Sequence, residues 1–226
     1  IDFESAVIEQ CIKSDYALDE SVYSVDYFYC WSNNDAVVEN INDLLHFKLL
    51  TELQLNSIQV NNWNGLETFI NLRHFAGSNI TDTALALFSS LEKLEYLAIN
   101  NSQLSDLEPL IGLANLAYFD SSNLIVDDWR ALKNLSIRSL WVHVGNFTDL
   151  SLVSESVRYV YLHNTNVSDF SSLNLLPLLR GVGLSDTDFD DWSFLSSFPQ
   201  LASLTLSDTN FTDLSLINGT NLRRLD

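Results

Sequence analysis

The sequence predicts an α/β solenoid, a horseshoe with a parallel sheet on its concave side and short helical or 3-10 segments on its convex side. Three observations predict it. First, the pattern L-x-x-L-x-L, with other apolar residues standing in for Leu, recurs at Leu50-Leu53-Leu55, Leu94-Leu97-Ile99, Ile137-Leu140-Val142, Val157-Val160-Leu162, Leu179-Val182-Leu184 and Leu201-Leu204-Leu206. It recurs in weaker form from Leu72 and Leu116; the starts are 20 to 22 residues apart, and Leu222-Leu225 opens a ninth unit. Second, most units carry an apolar residue ten positions after the start. Third, a polar–bulky pair follows, as at Asn62-Trp63, Asp106-Leu107, Asp128-Trp129, Asp149-Leu150, Asp169-Phe170, Asp191-Trp192 and Asp213-Leu214.

Each element has a physical reason. Alternating apolar residues face inward from a short strand, and the bulky residue after the Asp fills the far side of the core. A unit this short cannot cover its own apolar face, so it stacks on its neighbours. Adjacent strands then pair in parallel, roughly 4.8 Å apart. An Asp ahead of a bulky residue caps one helical turn, its carboxylate accepting otherwise unpaired backbone N–H groups. The second unit is irregular: Ile80-Thr81-Asp82 arrives two residues early, and Thr83 to Ser90 reads as a longer convex helix. Residues 50–226 thus hold eight full units and the start of a ninth, and residues 1–49 an N-terminal cap. In the cap, Phe3, Val7, Ile8, Cys11 and Ile12 have helical spacing. Val25-Phe28-Cys30 imitates the strand pattern as a degenerate first repeat, and Asn33 to Asn42 reads as an insertion.

On these motifs the chain resembles the short, internalin-like class of leucine-rich-repeat proteins over about residues 44 to 226. The resemblance implies a leucine-rich-repeat horseshoe that binds other molecules, in a bacterial extracytoplasmic protein (cell-surface, periplasmic or secreted). In one respect the chain departs from the class: Ser102, Thr165, Thr187 and Thr209 replace the usual ladder Asn. Hydroxyls there are expected to bond buried backbone. Caps of such secreted proteins often place one Cys on the helix and one in the first strand, as Cys11 and Cys30 stand here. Both fall on inward faces, and an even count suits an oxidised pair. The alternative is two separate buried thiols of a cytosolic protein.

Composition narrows the function. A net charge of −19 argues against nucleic acid and against an anionic membrane surface as partners. No apolar run reaches the roughly 18 residues that a membrane span needs. The sequence has no Met and opens on Ile1. Its translational start is expected upstream, where a signal peptide or lipid anchor would lie outside this chain. At the other end, Leu222 and Leu225 predict an apolar strand edge, to be covered by self-association or by further repeats.

The positions expected to face the concave side are uneven in content. Six of the 8 Tyr are there (Tyr27, Tyr29, Tyr96, Tyr118, Tyr159 and Tyr161), with Trp31 and Trp141. So are Arg73, Arg138, Arg158, Arg180, Arg223 and Arg224, whereas every Lys avoids the face. Strand propensity favours Tyr, but it does not explain that separation of Arg from Lys. Arg138, Arg158 and Arg180 occupy equivalent positions on consecutive units, a column of like charge that calls for a counter-anion. Gly181 and Gly183 beside Tyr159 and Tyr161 predict a shallow depression. Trp, Tyr and Arg dominate binding hot spots, so the expected partner-binding residues are Arg73, Tyr96, Tyr118, Arg138, Trp141, His143, Arg158, Tyr159, Tyr161, His163 and Arg180.

Other features read as structural. His143 and His163 are equivalent on adjacent units, but two imidazoles without a third ligand make a weak metal site. His46 and His74 add nothing specific. Seven Asn-x-Ser/Thr sequons (Asn79, Asn100, Asn134, Asn146, Asn166, Asn210 and Asn218) recur largely as repeat grammar. The acids of Asp186-Thr187-Asp188 and Asp190-Asp191 lack the spacing of a calcium loop and read as a solvated rim with helix caps. No nucleophile–base pair, phosphate loop or Cys/His cluster is present, so neither catalysis nor a cofactor is expected. The expected function is capture of a protein partner with acidic or phosphorylated groups beside an apolar patch. The alternative is a carbohydrate-binding adhesin, since aromatic stripes also suit sugar rings.

Overall fold

The computed structural model describes residues 3–15, 25–187, 189, 191–198 and 200–226, apart from the side chains of residues 15 and 33–35. Asp188 and Asp190 of the acidic rim lie outside the described residues. A helix α1 (Ala6–Asp15) precedes the first strands, β1 (Tyr27–Val38), β2 (Glu52–Val60) and β3 (His74–Ser78). A second helix, α2 (Asp82–Leu87), is followed by β4 (Tyr96–Asp106), β5 (Tyr118–Asp128), β6 (Ser139–Gly145) and β7 (Tyr159–His163). The chain continues through β8 (Gly181–Ser185), β9 (Ser203–Thr205) and β10 (Arg224–Leu225). The ten strands form one sheet in sequence order. Every pairing is parallel. Between strands the convex side carries 3-10 turns, as at Glu108–Leu110, Trp129–Asn134 and Trp192–Ser197.

The register turns each repeat position into a column. Phe28, Leu53, Phe75, Leu97, Phe119, Leu140, Val160, Val182 and Leu204 pair in succession and are all buried. Burying each such side chain contributes roughly 1.5–3 kcal/mol. Opposite them, the bulky residues after the Asp close the core: Trp63, Leu107, Trp129, Leu150, Phe170 and Trp192 are buried. The expected caps form. Asp128, Asp149, Asp191 and Asp213 accept from the backbone N–H two residues on. Their own chemistry reflects this: the side chain of Arg130, and its backbone N–H, bring the Asp128 carboxyl down to about 2. Bonds from Ser193 and Ser215 lower Asp191 and Asp213 likewise. Such caps hold fully above the ordinary carboxylate range and are released as pH falls through the lowered values.

The irregular second unit forms the longer helix read from sequence, α2, with Thr81 accepting from the Ala84 N–H as its N-cap. Past the core strand positions of each unit, one residue turns the chain through the left-handed region. These residues are Ser57, Asn79, Asn101, Asn123, Val144, Asn164, Asp186 and Asp208. Asn and Asp tolerate that conformation; a β-branched residue does not. Val144, at φ 58°, is the strained member of the series.

In the cap, Ile8 and Ile12 are buried, and Phe3, Val7 and Cys11 pack beside them. The buried Asp43 carboxylate accepts from the N–H groups of Glu4 and Ser5, at 2.9 and 2.8 Å, pinning the start of α1. Cys11 and Cys30 form a disulfide, with Cα atoms 5.5 Å apart. The stretch read as an insertion, Asn33 to Asn42, is in part strand. Pairing of β1 with β2 slips between Trp31 and Ala36, then resumes at Ala36↔Ile58. Leu222 is half-buried and Leu225, on β10, is exposed.

The substitutes for the ladder Asn behave unequally. The Ser102 hydroxyl accepts from the Ile80 N–H at 2.9 Å and donates to the Asn100 carbonyl at 2.7 Å. Thr209 donates to the Leu206 carbonyl. Thr165 and Thr187 depart from expectation, because their buried hydroxyls have no partner among the described residues. Part of the work has moved to another Asn. The Asn146 amide accepts from the Val126 N–H and from the Trp129 indole at 3.0 Å, and donates to the Val126 carbonyl. Asn210 accepts from Trp192 in the same way, at 2.9 Å. In the irregular unit Thr81 stands at the equivalent position and caps α2 instead, and the buried Trp63 indole N–H has no partner.

Two stability outcomes follow from these features. Val144→Asn should raise stability by about 1 kcal/mol by relieving the left-handed strain, seen as a higher urea midpoint. Asn123→Val should lower it comparably. Cys11→Ser should cost on the order of 3 kcal/mol, and amide exchange should show the loss confined to α1 and β1.

Candidate functional site: the concave face

The concave face is built from the strand residues that alternate with the core columns. One outward column runs Tyr27, Glu52, His74, Tyr96, Tyr118, Ser139, Tyr159, Gly181 and Ser203, and ends on Arg224. The next contains Tyr29, Gln54, Ala76, Ala98, Asp120, Trp141, Tyr161, Gly183 and Thr205. The expected aromatic residues therefore share one surface. Tyr118, Trp141 and Tyr159 are exposed; Tyr96 and Tyr161 are half-buried.

The two ends of this surface differ in electrostatics. Toward the N-terminal end its polar groups are paired with one another. Tyr29 donates to Glu52, whose other oxygen lies 3.1 Å from His74 Nδ1. That bond to Glu52 pushes the Tyr29 phenol up to about 12 and holds the Glu52 carboxyl low. Tyr96 donates to Asp120 at 3.0 Å; burial, then that carboxylate, raises its pKa. Arg73 pairs with Glu95. His74 thus has a defined role that its sequence context did not reveal.

Toward the C-terminal end the surface is open. Trp141 and Tyr161 lie with ring centroids 4.3 Å apart, and His143 and His163 at 5.7 Å. With Gly183, Ser185, Ser203, Thr205 and Arg224 they line a hollow of about 430 Å³. The depression expected over Gly181 and Gly183 is not empty: the rings of Tyr159 and Tyr161 lie across them. A Cβ on Gly181 would come within 2.6 Å of Tyr159, and one on Gly183 within 2.3 Å of Tyr161. The Tyr161 hydroxyl reaches as far as Ser203, and burial raises its pKa. Ser203 and Thr205 were not singled out in the sequence, and Arg224 was expected on the concave face but not among the partner-binding residues. They belong to the hollow because Tyr161 extends over a neighbouring strand that has no side chain in its way.

The arginines sit elsewhere than expected. Arg73, Arg138, Arg158, Arg180 and Arg223 each stand one residue ahead of a strand, on the rim of the sheet, outside the aromatic columns. They form a column of their own: the Arg158 N–H donates to the Arg138 carbonyl at 2.8 Å, and that of Arg180 to Arg158 at 2.7 Å. Arg180 and Arg223 border a second hollow of about 590 Å³ with Gln200, Ala202 and Asn221. Arg138, Arg158, Arg180 and Arg223 have no carboxylate within ion-pair distance among the described residues. Rim and hollow are thus two adjacent features. Among the described residues no group of three His, Cys, Asp or Glu is placed to hold a metal ion.

No family model and no curated protein matches the chain at a significant level. Solved structures do match. An internalin, InlF, of Listeria monocytogenes superposes with a TM-score of 0.63 at 20% identity, over 91% of this chain and 67% of that one. Internalin C2 of the same organism gives 0.53 at 20% identity, over 91% and 81%. A leucine-rich-repeat protein of Leptospira interrogans gives 0.57 at 16% identity, over 81% and 56%. With the ten-strand parallel sheet, these define the chain as a leucine-rich-repeat solenoid. Its fold is internalin-like, as the repeat residues imply.

The tight seating of Tyr161 on Gly183 gives a local test. Gly183→Ala should displace the Tyr161 ring from its place over β8, with a stability change below about 1 kcal/mol because a side chain, not backbone, gives way. Nuclear magnetic resonance of the ring protons, alongside a urea melt, reads both effects.

Proposed function

We propose that the chain is an extracytoplasmic binding module that captures a protein partner carrying acidic or phosphorylated groups. The partner docks on the C-terminal half of the concave face, with Arg138, Arg158 and Arg180 meeting its anions and Trp141, Tyr159 and Tyr161 its apolar part. The observation that carries the reading is an arginine column with no carboxylate in ion-pair distance among the described residues, beside an open aromatic hollow, in a chain of net charge −19. A protein this acidic has ample carboxylates to neutralise its arginines, yet its concave acids pair with tyrosines, His74 and Arg73 at the other end. Exposed aromatic rings next to guanidiniums are the residue types that concentrate binding energy. Tyr96, Tyr118, His143 and His163 extend the surface on either side. The Cys11–Cys30 disulfide favours an oxidising compartment, and no described helix is long and apolar enough to cross a membrane.

Cross-linking in the native compartment, followed by mass spectrometry, would identify the partner. Trp141→Ala and Tyr161→Ala should then each cost about 2 kcal/mol or more of binding free energy. Thermal stability should change little, because neither side chain belongs to the core columns. Lys133→Ala, on the convex side, should be silent. Loss of binding equal in all three variants would place the partner elsewhere.

A further inference from the structure

The positions that precede the strands form one continuous backbone ladder: Asp26, Thr51, Arg73, Glu95, Ala117, Arg138, Arg158, Arg180, Ala202 and Arg223. Each residue after the first donates its N–H to the carbonyl of the one before. Arg138, Arg158 and Arg180 are three consecutive rungs of it, so their stems leave the backbone at a pitch of roughly 4.8 Å and span roughly 9.6 Å. Three like charges so placed repel one another unless anions lie between them. The pitch also limits which anion-bearing chain fits. On an α-helix, residues i, i+3 or i+4, and i+7 share a face, and seven residues rise about 10.5 Å. That is within about 1 Å of the three-rung span. On an extended chain, same-side residues recur about every 6.7 Å, so three of them cover about 13.4 Å. The misfit there is close to a full rung.

The lateral spacing points the same way. Trp141 and Tyr161 stand three residues further along their strands than Arg138 and Arg158, roughly 10 Å from the rim. A helix is about 10–12 Å across with its side chains. One that rests its acidic stripe on the arginines therefore brings its adjacent flank over Tyr159, Trp141 and Tyr161. We infer that the partner element recognised here is an amphipathic α-helix, lying across the strands along the solenoid axis. Its acidic residues at i, i+3 or i+4, and i+7 meet Arg138, Arg158 and Arg180, and an apolar flank covers the aromatic rings. This rests on the binding reading above and narrows it to one kind of partner.

The test uses the full chain and two synthetic peptides of about 18 residues, long enough for a stable helix when cross-linked. One is held helical by a lactam bridge and presents Glu at i, i+3 and i+7 beside a Leu/Phe flank. The other has the same Glu, Leu and Phe content, alternating and held extended by interspersed prolines. Fluorescence anisotropy at low salt should show the helical probe binding about tenfold more tightly or better. Arg158→Gln should weaken that probe about fivefold or more and reduce its salt dependence, with an unchanged melting temperature. Lys133→Gln should leave it unaffected. Equal or tighter binding of the extended probe overturns the helix inference; if Arg158→Gln weakens both probes, the acidic-partner reading stands without it. Binding of neither probe up to millimolar concentration, or binding indifferent to Arg158→Gln, overturns both.

Discussion

The parallel pairing of each strand with its neighbour in the next unit is the constraint from which the rest of the structure follows, because a unit of that length has one apolar side and nothing of its own to cover it. Covering it requires the next unit in register, and register makes every repeat position a column. The buried columns gain from this: Leu97, Phe119 and Leu140 pack as a continuous wall. The exposed columns inherit the same spacing whether or not it favours them. A tyrosine beside a glycine can lie across it, as Tyr161 does on Gly183. An arginine beside an arginine cannot relieve its neighbour, which is why the rim of Arg138, Arg158 and Arg180 is informative. Stacking gives such a column no stability of its own.

One departure from regularity lies near the same place. The unit that begins at Ile137 is 20 residues long, two short of most others. It carries Trp141 and His143, and Val144 near the end of its strand adopts a conformation that a β-branched residue resists. Gly145 follows because a side chain there would run into the Leu124 carbonyl at 2.4 Å. Asn146 then ties the turn back to Val126 and Trp129. The backbone around the hollow is thus held by local bonds against a local strain.

Much of this was legible in the sequence, because repetition reports burial directly. Leu, Phe and Val at matching offsets gave the core columns; Asp before a bulky residue gave the caps; Thr83 to Ser90 gave the longer helix; Cys11 and Cys30 gave the bridge. What was not legible depends on how far side chains reach across strands. The first variable residue after each unit's leading apolar position looks like a strand residue, but it sits ahead of the pleat, so the arginines belong to the rim and not to the aromatic surface. Glu52, His74 and Asp120 gained roles only once the register set each beside or near a partner. The indole of Trp129 is satisfied from the next unit, a link with no signature short of aligning the units by eye. Thr165 and Thr187 show the reverse: a hydroxyl at the right repeat position finds no partner among the described residues, although Ser102 and Thr209 at the same position do.

Overall charge and local charge oppose each other here, and that opposition bears on selectivity. At net −19 the chain repels an acidic partner at a distance, but at physiological ionic strength such repulsion is screened beyond about 8 Å. Within that range the nearest charges decide, and on the C-terminal half of the concave side those are guanidiniums. The convex Asp caps, held ionised by backbone N–H groups, keep the opposite surface negative. An acidic element approaching the convex side therefore meets repulsion at close range, whereas at the rim it meets attraction. An acidic partner of the kind proposed would associate without long-range steering and be retained by short-range pairing, so its residence time would depend on how many of the rim arginines it satisfies at once.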